Sequence, residues 1–144
     1  MYCEKLELLK NSVKTFLRSL TNTINVLHVN EHWHGFYIGK TENMDCENFR
    51  LSHERRGMPF YWQLSSEGNP DVIGQLEYDL IEYFRNSQEF RHLCCNEGAG
   101  NEGNDRANML YIAIRYNVRE INELDFPEVV VPKVINVSNI RLNN

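Results

Sequence analysis

The chain of 144 residues is long enough for one domain of ordinary size, which buries roughly two-thirds of the surface of its unfolded chain. Hydrophobic residues make up 42% of the sequence and charged residues 24%, which excludes disordered, collagen-like and low-complexity chains. The formal charge of −5 argues against a general nucleic-acid binder, although an acidic protein can still carry a local basic site.

The N-terminus leads us to expect an intracellular protein, in the cytoplasm or the nucleus. Residues 1–11 are charged and periodic rather than apolar, so they do not resemble a secretory signal. No apolar run approaches the roughly 20 residues that cross a bilayer. We therefore expect neither secretion nor a membrane partner, and we expect the four cysteines to be reduced thiols.

The first half of the chain predicts a helix followed by a hairpin. An apolar stripe that begins with Leu6, Leu9 and Val13 repeats at three- and four-residue spacings, as in an amphipathic helix. Short stretches rich in β-branched and aromatic residues then predict two strands, at 24–29 and 33–40.

Two helices with a strand between them are predicted next. Residues 47–56 form a short helix that ends at Gly57, a common helix-stop residue. Residues 58–64 form a third strand. Asn69 is a good N-cap for a helix over 70–84, since proline and an acidic residue occupy the first turn.

The last part of the chain contains five further predicted elements. They are a helical turn at 89–93, a glycine-rich loop at 96–104, a strand at 109–115, a short helix at 117–124 and an extended tail from 126.

Together these elements predict one small α/β domain over residues 1–144. Its three-stranded, mainly antiparallel sheet is flanked by the helices at 47–56 and 70–84. The N-terminal helix at 1–22 docks alongside, and the strand at 109–115 extends the sheet or packs against it.

Four short stretches carry the candidate chemistry, in a fixed order along the chain. They are FYIGKT at 36–41, FRLSHERR at 49–56, LEYDLIEYF at 76–84 and CCN at 94–96. This order resembles the GIY-YIG nuclease family over about residues 24–104. The helix at 1–22 and the C-terminal extension at 105–144 lie outside the motifs.

The resemblance implies a set of catalytic residues. Tyr37 and Gly39 match the tyrosine and glycine of YIG. Arg50 is similar to the family's catalytic arginine, and His53 to the histidine one turn beyond it. Glu77 matches the glutamate that binds the metal ion.

The resemblance also implies a substrate and a cofactor. Asn96 is similar to the family's late asparagine, which we expect to lie near the nucleic acid. Members hydrolyse a DNA phosphodiester with one divalent metal ion, so Mg²⁺ or Mn²⁺ is the expected cofactor and DNA the expected partner. Lys40, Arg55 and Arg56 would then hold the DNA backbone.

The first motif departs from the family pattern. Residues 26–28 (VLH) are the best candidate for GIY, so His28 stands where a tyrosine is expected. The spacing from Arg50 to His53 is also one residue tighter than usual. The general base therefore stays open between Tyr37 and His28, whose unperturbed pKa values are about 10 and about 6.5.

The residue types suit this chemistry independently of the resemblance. A hard cation such as Mg²⁺ prefers carboxylate oxygen and keeps several waters, so Glu77 alone can suffice. Arg50 offers a permanently charged fork that fits phosphate. Two functions stay open at this point: a metal-dependent DNA endonuclease, or a catalytically silent domain that binds nucleic acid or a protein partner.

Overall fold

The computed structural model describes residues 1–22, 33–58, 60–98 and 106–116. The elements of the described residues are α1 (Tyr2–Asn22), β1 (Trp33–Thr41), α2 (Glu47–Arg55), β2 (Phe60–Ser66), α3 (Pro70–Arg85) and β3 (Met109–Tyr116). Each confirms a predicted helix or strand to within two residues. The predicted strand at 24–29, the helix at 117–124 and the tail from 126 lie outside the described residues.

The sheet is antiparallel throughout, and its order is β1-β3-β2. The predicted three-stranded antiparallel sheet with flanking helices is therefore confirmed. Its central strand, however, is β3, which the sequence predicts to extend the sheet or to pack against it. The burial pattern agrees with a central position. Five consecutive residues, 110–114, are buried, as expected for a strand that is covered on both faces.

One face of the sheet, here called the apolar face, packs against α1 and α3. Successive side chains of a strand point to opposite faces. Phe36 and Ile38 of β1 therefore share this face with alternate residues of the central strand. The members contributed by the sheet are Phe36, Ile38, Phe60, Leu64, Leu110, Ile112 and Ile114, all buried in one hydrophobic cluster with both helices.

The opposite face, here called the aromatic face, is covered by α2. Phe49 of α2, Met58 and Tyr111 of β3 are buried there together, and Tyr37 and Tyr61 pack against them. The two faces thus draw on alternating residues of the same strands.

Local signals set the ends of the two helices next to the sheet. The Asn69 side chain accepts a hydrogen bond from the backbone N–H of Asp71 at 3.0 Å, which confirms the predicted N-cap of α3. Gly57 has a φ of 75° after α2, and the N–H of Met58 donates to the carbonyl of His53 at 2.8 Å. Glycine adopts this left-handed conformation without steric cost, which explains why α2 ends there.

Among the described residues, no helix combines the length and the apolar character that crossing a membrane requires.

Candidate active site

A phenol and an imidazole are hydrogen-bonded on the aromatic face. The hydroxyl of Tyr111 lies 2.8 Å from Nε2 of His53, and Nδ1 of His53 lies 3.0 Å from the carbonyl oxygen of Phe49. A carbonyl can only accept, so Nδ1 of His53 carries a proton. In the neutral imidazole Nε2 is then an acceptor, and the Tyr111 hydroxyl donates to it.

The surroundings keep both groups uncharged. Burial lowers the pKa of His53, the hydrogen bond to the carbonyl of Phe49 opposes this, and the charge of Arg56 lowers it further. Burial also raises the pKa of the Tyr111 phenol above its ordinary value. At neutral pH the pair is therefore a neutral phenol donating to a neutral imidazole.

Gly39 provides the space for this phenol. It pairs with Tyr111 in the β1–β3 register. A Cβ at Gly39 would lie 2.6 Å from the Tyr111 hydroxyl oxygen and 2.8 Å from Cε1 of Tyr37. Both distances are below van der Waals contact, so any other residue would displace one of the two rings. The glycine of the YIG stretch thus has a packing role here.

Tyr37 completes a compact group on this face. Its ring centroid lies 6.2 Å from that of Tyr111 and 6.3 Å from that of His53. The guanidinium carbon of Arg56 lies 5.7 Å from the Tyr37 centroid, within cation–π range. We call the set of Tyr37, His53, Arg56 and Tyr111 the phenol–imidazole cluster. The structure brings together Tyr37, His53 and Arg56 of the residues singled out from the sequence.

Glu77 lies on α3, and Lys40 lies on β1 with its ammonium beside α3. Glu77 is buried, with 5% of its surface exposed, and its charge contributes to raising the pKa of Tyr111. A Cβ at Gly74 would lie 3.6 Å from the Lys40 ammonium nitrogen, so that ammonium rests on α3 one turn before Glu77.

Glu77 supplies one carboxylate, the type of ligand that Mg²⁺ prefers. Within residues 1–22, 33–58, 60–98 and 106–116, no three His, Cys, Asp or Glu side chains are grouped to hold a metal. Mg²⁺ commonly binds proteins through one or two carboxylates and completes its octahedron with water and substrate oxygen. A single glutamate is the smallest protein ligand set of this kind.

Arg50 lies apart from the phenol–imidazole cluster. Its guanidinium donates to Glu54 at 2.8 Å and to Glu47 at 3.4 Å along the exposed side of α2, and these partners raise its pKa. Among the described residues no contact joins it to Tyr37 or Tyr111. Helix geometry explains this, because residues four apart share a face. Phe49, four residues before His53, occupies the inward position, and its ring stacks on the imidazole at 4.3 Å.

Asn96 holds the free edge of β1. Its amide nitrogen donates to the carbonyl of Ile38 at 2.8 Å, and its amide oxygen accepts from the Ile38 N–H at 3.0 Å. The side chain is buried and imitates a neighbouring strand, continuing the parallel contact of Phe36 with Cys94. The structure therefore gives Asn96 a role at the sheet edge.

The remaining predicted residues are Arg55, exposed at the end of α2, and His28, outside the described residues. Tyr111 was missed from the sequence, because a tyrosine in an apolar strand is typical of core packing. The available signal was a single hydroxyl within the aliphatic run at 110–114.

Comparison of the chain with family models, with curated proteins and with solved structures gave no match.

Proposed function

We propose that this chain is a metal-dependent DNA endonuclease that hydrolyses phosphodiester bonds at the phenol–imidazole cluster. The observation that carries the proposal is the hydrogen bond from Tyr111 to Nε2 of His53, beside Tyr37 and over Gly39. A phenol that is hydrogen-bonded to a neutral imidazole can accept a proton on its oxygen while its own proton moves to the imidazole nitrogen.

The position of Tyr111 supports the resemblance at the point where the sequence departs from it. The first motif of the family ends in a tyrosine, and the sequence offers His28 in its place. β3 pairs antiparallel with β1 and sets Tyr111 opposite Gly39. In this proposal Tyr111 is the general base, the role that the sequence left open between Tyr37 and His28, although its strand follows the YIG stretch along the chain.

In the proposed reaction, Tyr111 and His53 together take a proton from the attacking water. The oxygen of a water molecule attacks phosphorus as one of its protons moves to the Tyr111 oxygen and the Tyr111 proton moves to Nε2 of His53. The ester P–O bond breaks, and the leaving oxygen takes a proton from solvent. His53, now an imidazolium, returns its added proton to solvent before the next turnover.

The other residues position the substrate. A metal ion bound at Glu77 would stabilise the negative charge on the phosphate as a Lewis acid. The Lys40 ammonium, resting on α3 near Glu77, and the exposed Arg55 suit contacts with the DNA backbone.

Plasmid cleavage tests this proposal. We expect the parent protein to nick or cut supercoiled DNA with Mg²⁺ or Mn²⁺ and to be inactive with EDTA. Glu77→Gln and Tyr111→Phe should each lower the rate by about 100-fold or more, the usual scale for losing a charge-stabilising or proton-transferring group. Tyr78→Phe is the matched control, because Tyr78 is an exposed tyrosine on α3.

Two results would count against the proposal. Metal-dependent cleavage that persists at the parent rate in both Glu77→Gln and Tyr111→Phe would show that the activity lies elsewhere. DNA binding by the parent with no cleavage at any metal concentration would support the catalytically silent domain instead.

A further inference from the structure

Arg50 and Arg56, two of the arginines at α2, differ in the groups that surround their charges. Arg50 is neutralised by Glu47 and Glu54 on its own helix. Arg56 lies in the turn after α2, and among the described residues no carboxylate forms an ion pair with it. Of these two, only Arg56 has a guanidinium over the ring of Tyr37.

The turn that ends α2 fixes the place of Arg56. The backbone N–H of Arg56 donates to the carbonyl of His53 at 3.2 Å, and the N–H of Gly57 donates to Glu54 at 3.0 Å. The side chain therefore leaves the chain close to the backbone of His53, a member of the phenol–imidazole cluster. Its charge reaches that cluster, since it lowers the pKa of both His53 and Tyr111.

We propose that Arg56, rather than Arg50, is the guanidinium that binds the substrate phosphate at the phenol–imidazole cluster. A guanidinium that stacks on an aromatic ring keeps its N–H groups free at its rim, and two of them fit two phosphate oxygens. Arg50 would first have to give up its bonds to Glu47 and Glu54. The identification of that phosphate as a DNA phosphodiester rests on the proposed function.

The first experiment needs no cleavage. Inorganic phosphate is titrated into the parent protein, and the NMR signals of Tyr37, His53 and Tyr111 are followed. We expect saturable shifts in the parent, loss of saturation in Arg56→Ala, and parent-like shifts in Arg91→Ala, which removes an exposed arginine of the 88–93 turn. Equal saturation in the parent and in Arg56→Ala would overturn the proposal, and so would its absence from the parent.

The dispersed NMR signals of Tyr37, His53 and Tyr111 show whether Arg56→Ala is folded, and the titration of His53 then shows that the charge has been removed. Because Arg56 lowers the pKa of His53, the variant should titrate His53 at a higher pH than the parent does. A variant that retains the His53–Tyr111 pair but loses phosphate binding would support the assignment directly.

Kinetics with DNA supply the second test. We expect Arg56→Ala to lower kcat by about 100-fold, and Arg56→Lys to recover only part of it, because an ammonium lacks the planar fork. A larger loss in Arg50→Ala than in Arg56→Ala would overturn the proposal. If the parent cuts no DNA, the proposed function fails, and the phosphate titration still decides the assignment of Arg56.

Discussion

The two faces of the sheet use the same strands for different purposes. The apolar face buries aliphatic and aromatic side chains of β1, β2 and β3 against α1 and α3. The aromatic face carries phenols, an imidazole and a guanidinium beneath the shorter helix α2. The comparison teaches that strand alternation alone gives one sheet an aliphatic and aromatic core on one side and a set of hydrogen-bonding groups on the other. Phe36 and Ile38 serve the first face, and Tyr37 and Gly39, the residues that follow them, serve the second.

The largest loss of stability is expected from a substitution that disrupts the apolar face. Phe36 is fully buried, and its ring meets that of Phe84 edge to face at 5.7 Å. Phe36→Ala should lower the free energy of unfolding by about 3–5 kcal/mol, through lost burial and the cavity left behind. Urea denaturation measures this loss. Leu8→Ala, at an apolar residue 46% exposed on α1, is the control and should stay within about 0.5 kcal/mol of the parent.

A smaller effect is expected from Gly39→Ala on the aromatic face. The added methyl group overlaps the Tyr111 hydroxyl and the Tyr37 ring, so overpacking should cost about 1–3 kcal/mol of unfolding free energy. The stronger consequence should be local: the bond from Tyr111 to His53 is displaced, and any cleavage falls more steeply than stability does. Chemical shifts of the His53 ring report the bond. An unchanged His53 spectrum would contradict the assigned packing.

The smallest effect is a dependence of stability on pH. The pKa of His53 lies below its ordinary 6.5 in the folded state, so between those two values the unfolded chain binds more protons. Stability should consequently fall as the pH drops below about 6.5 and level off below the folded pKa. Thermal unfolding of the parent and of His53→Gln at pH 5–7 measures this dependence of stability on pH, which the variant should lack.

Exposed histidine provides the control for that measurement. His92 lies in the turn after α3 and is exposed, so His92→Gln should follow the curve of the parent. A parent and a His53→Gln variant with the same slope would mean that His53 is not held neutral on the aromatic face.

The six described elements could be predicted because each depends on local signals. Apolar periodicity marked α1, Asn69 and Pro70 marked the start of α3, and Gly57 marked the end of α2. The central position of β3 could not be read in the same way, since it depends on pairing between segments far apart in the chain.

The candidate site was predicted in part. Tyr37, Gly39 and His53 came from the ordered motifs, and the structure places them together. Arg50 and Phe49 differ by one helical position, about 100° around α2, so a motif spacing shortened by one residue turned the arginine outward. Tyr111 comes from the last strand described, and no local pattern distinguishes its hydroxyl from that of a packed tyrosine.

The central position of β3 in the sheet affects when the chain can fold during translation. Among the described residues, β1 and β2 each pair with β3 and not with each other. On a ribosome that adds about 5–20 residues per second, both strands emerge well before their shared partner. The nascent chain then presents Phe36, Ile38 and Leu64 uncovered by a completed sheet, which is the kind of surface that chaperones bind. We expect this protein to fold only after its translation has passed β3.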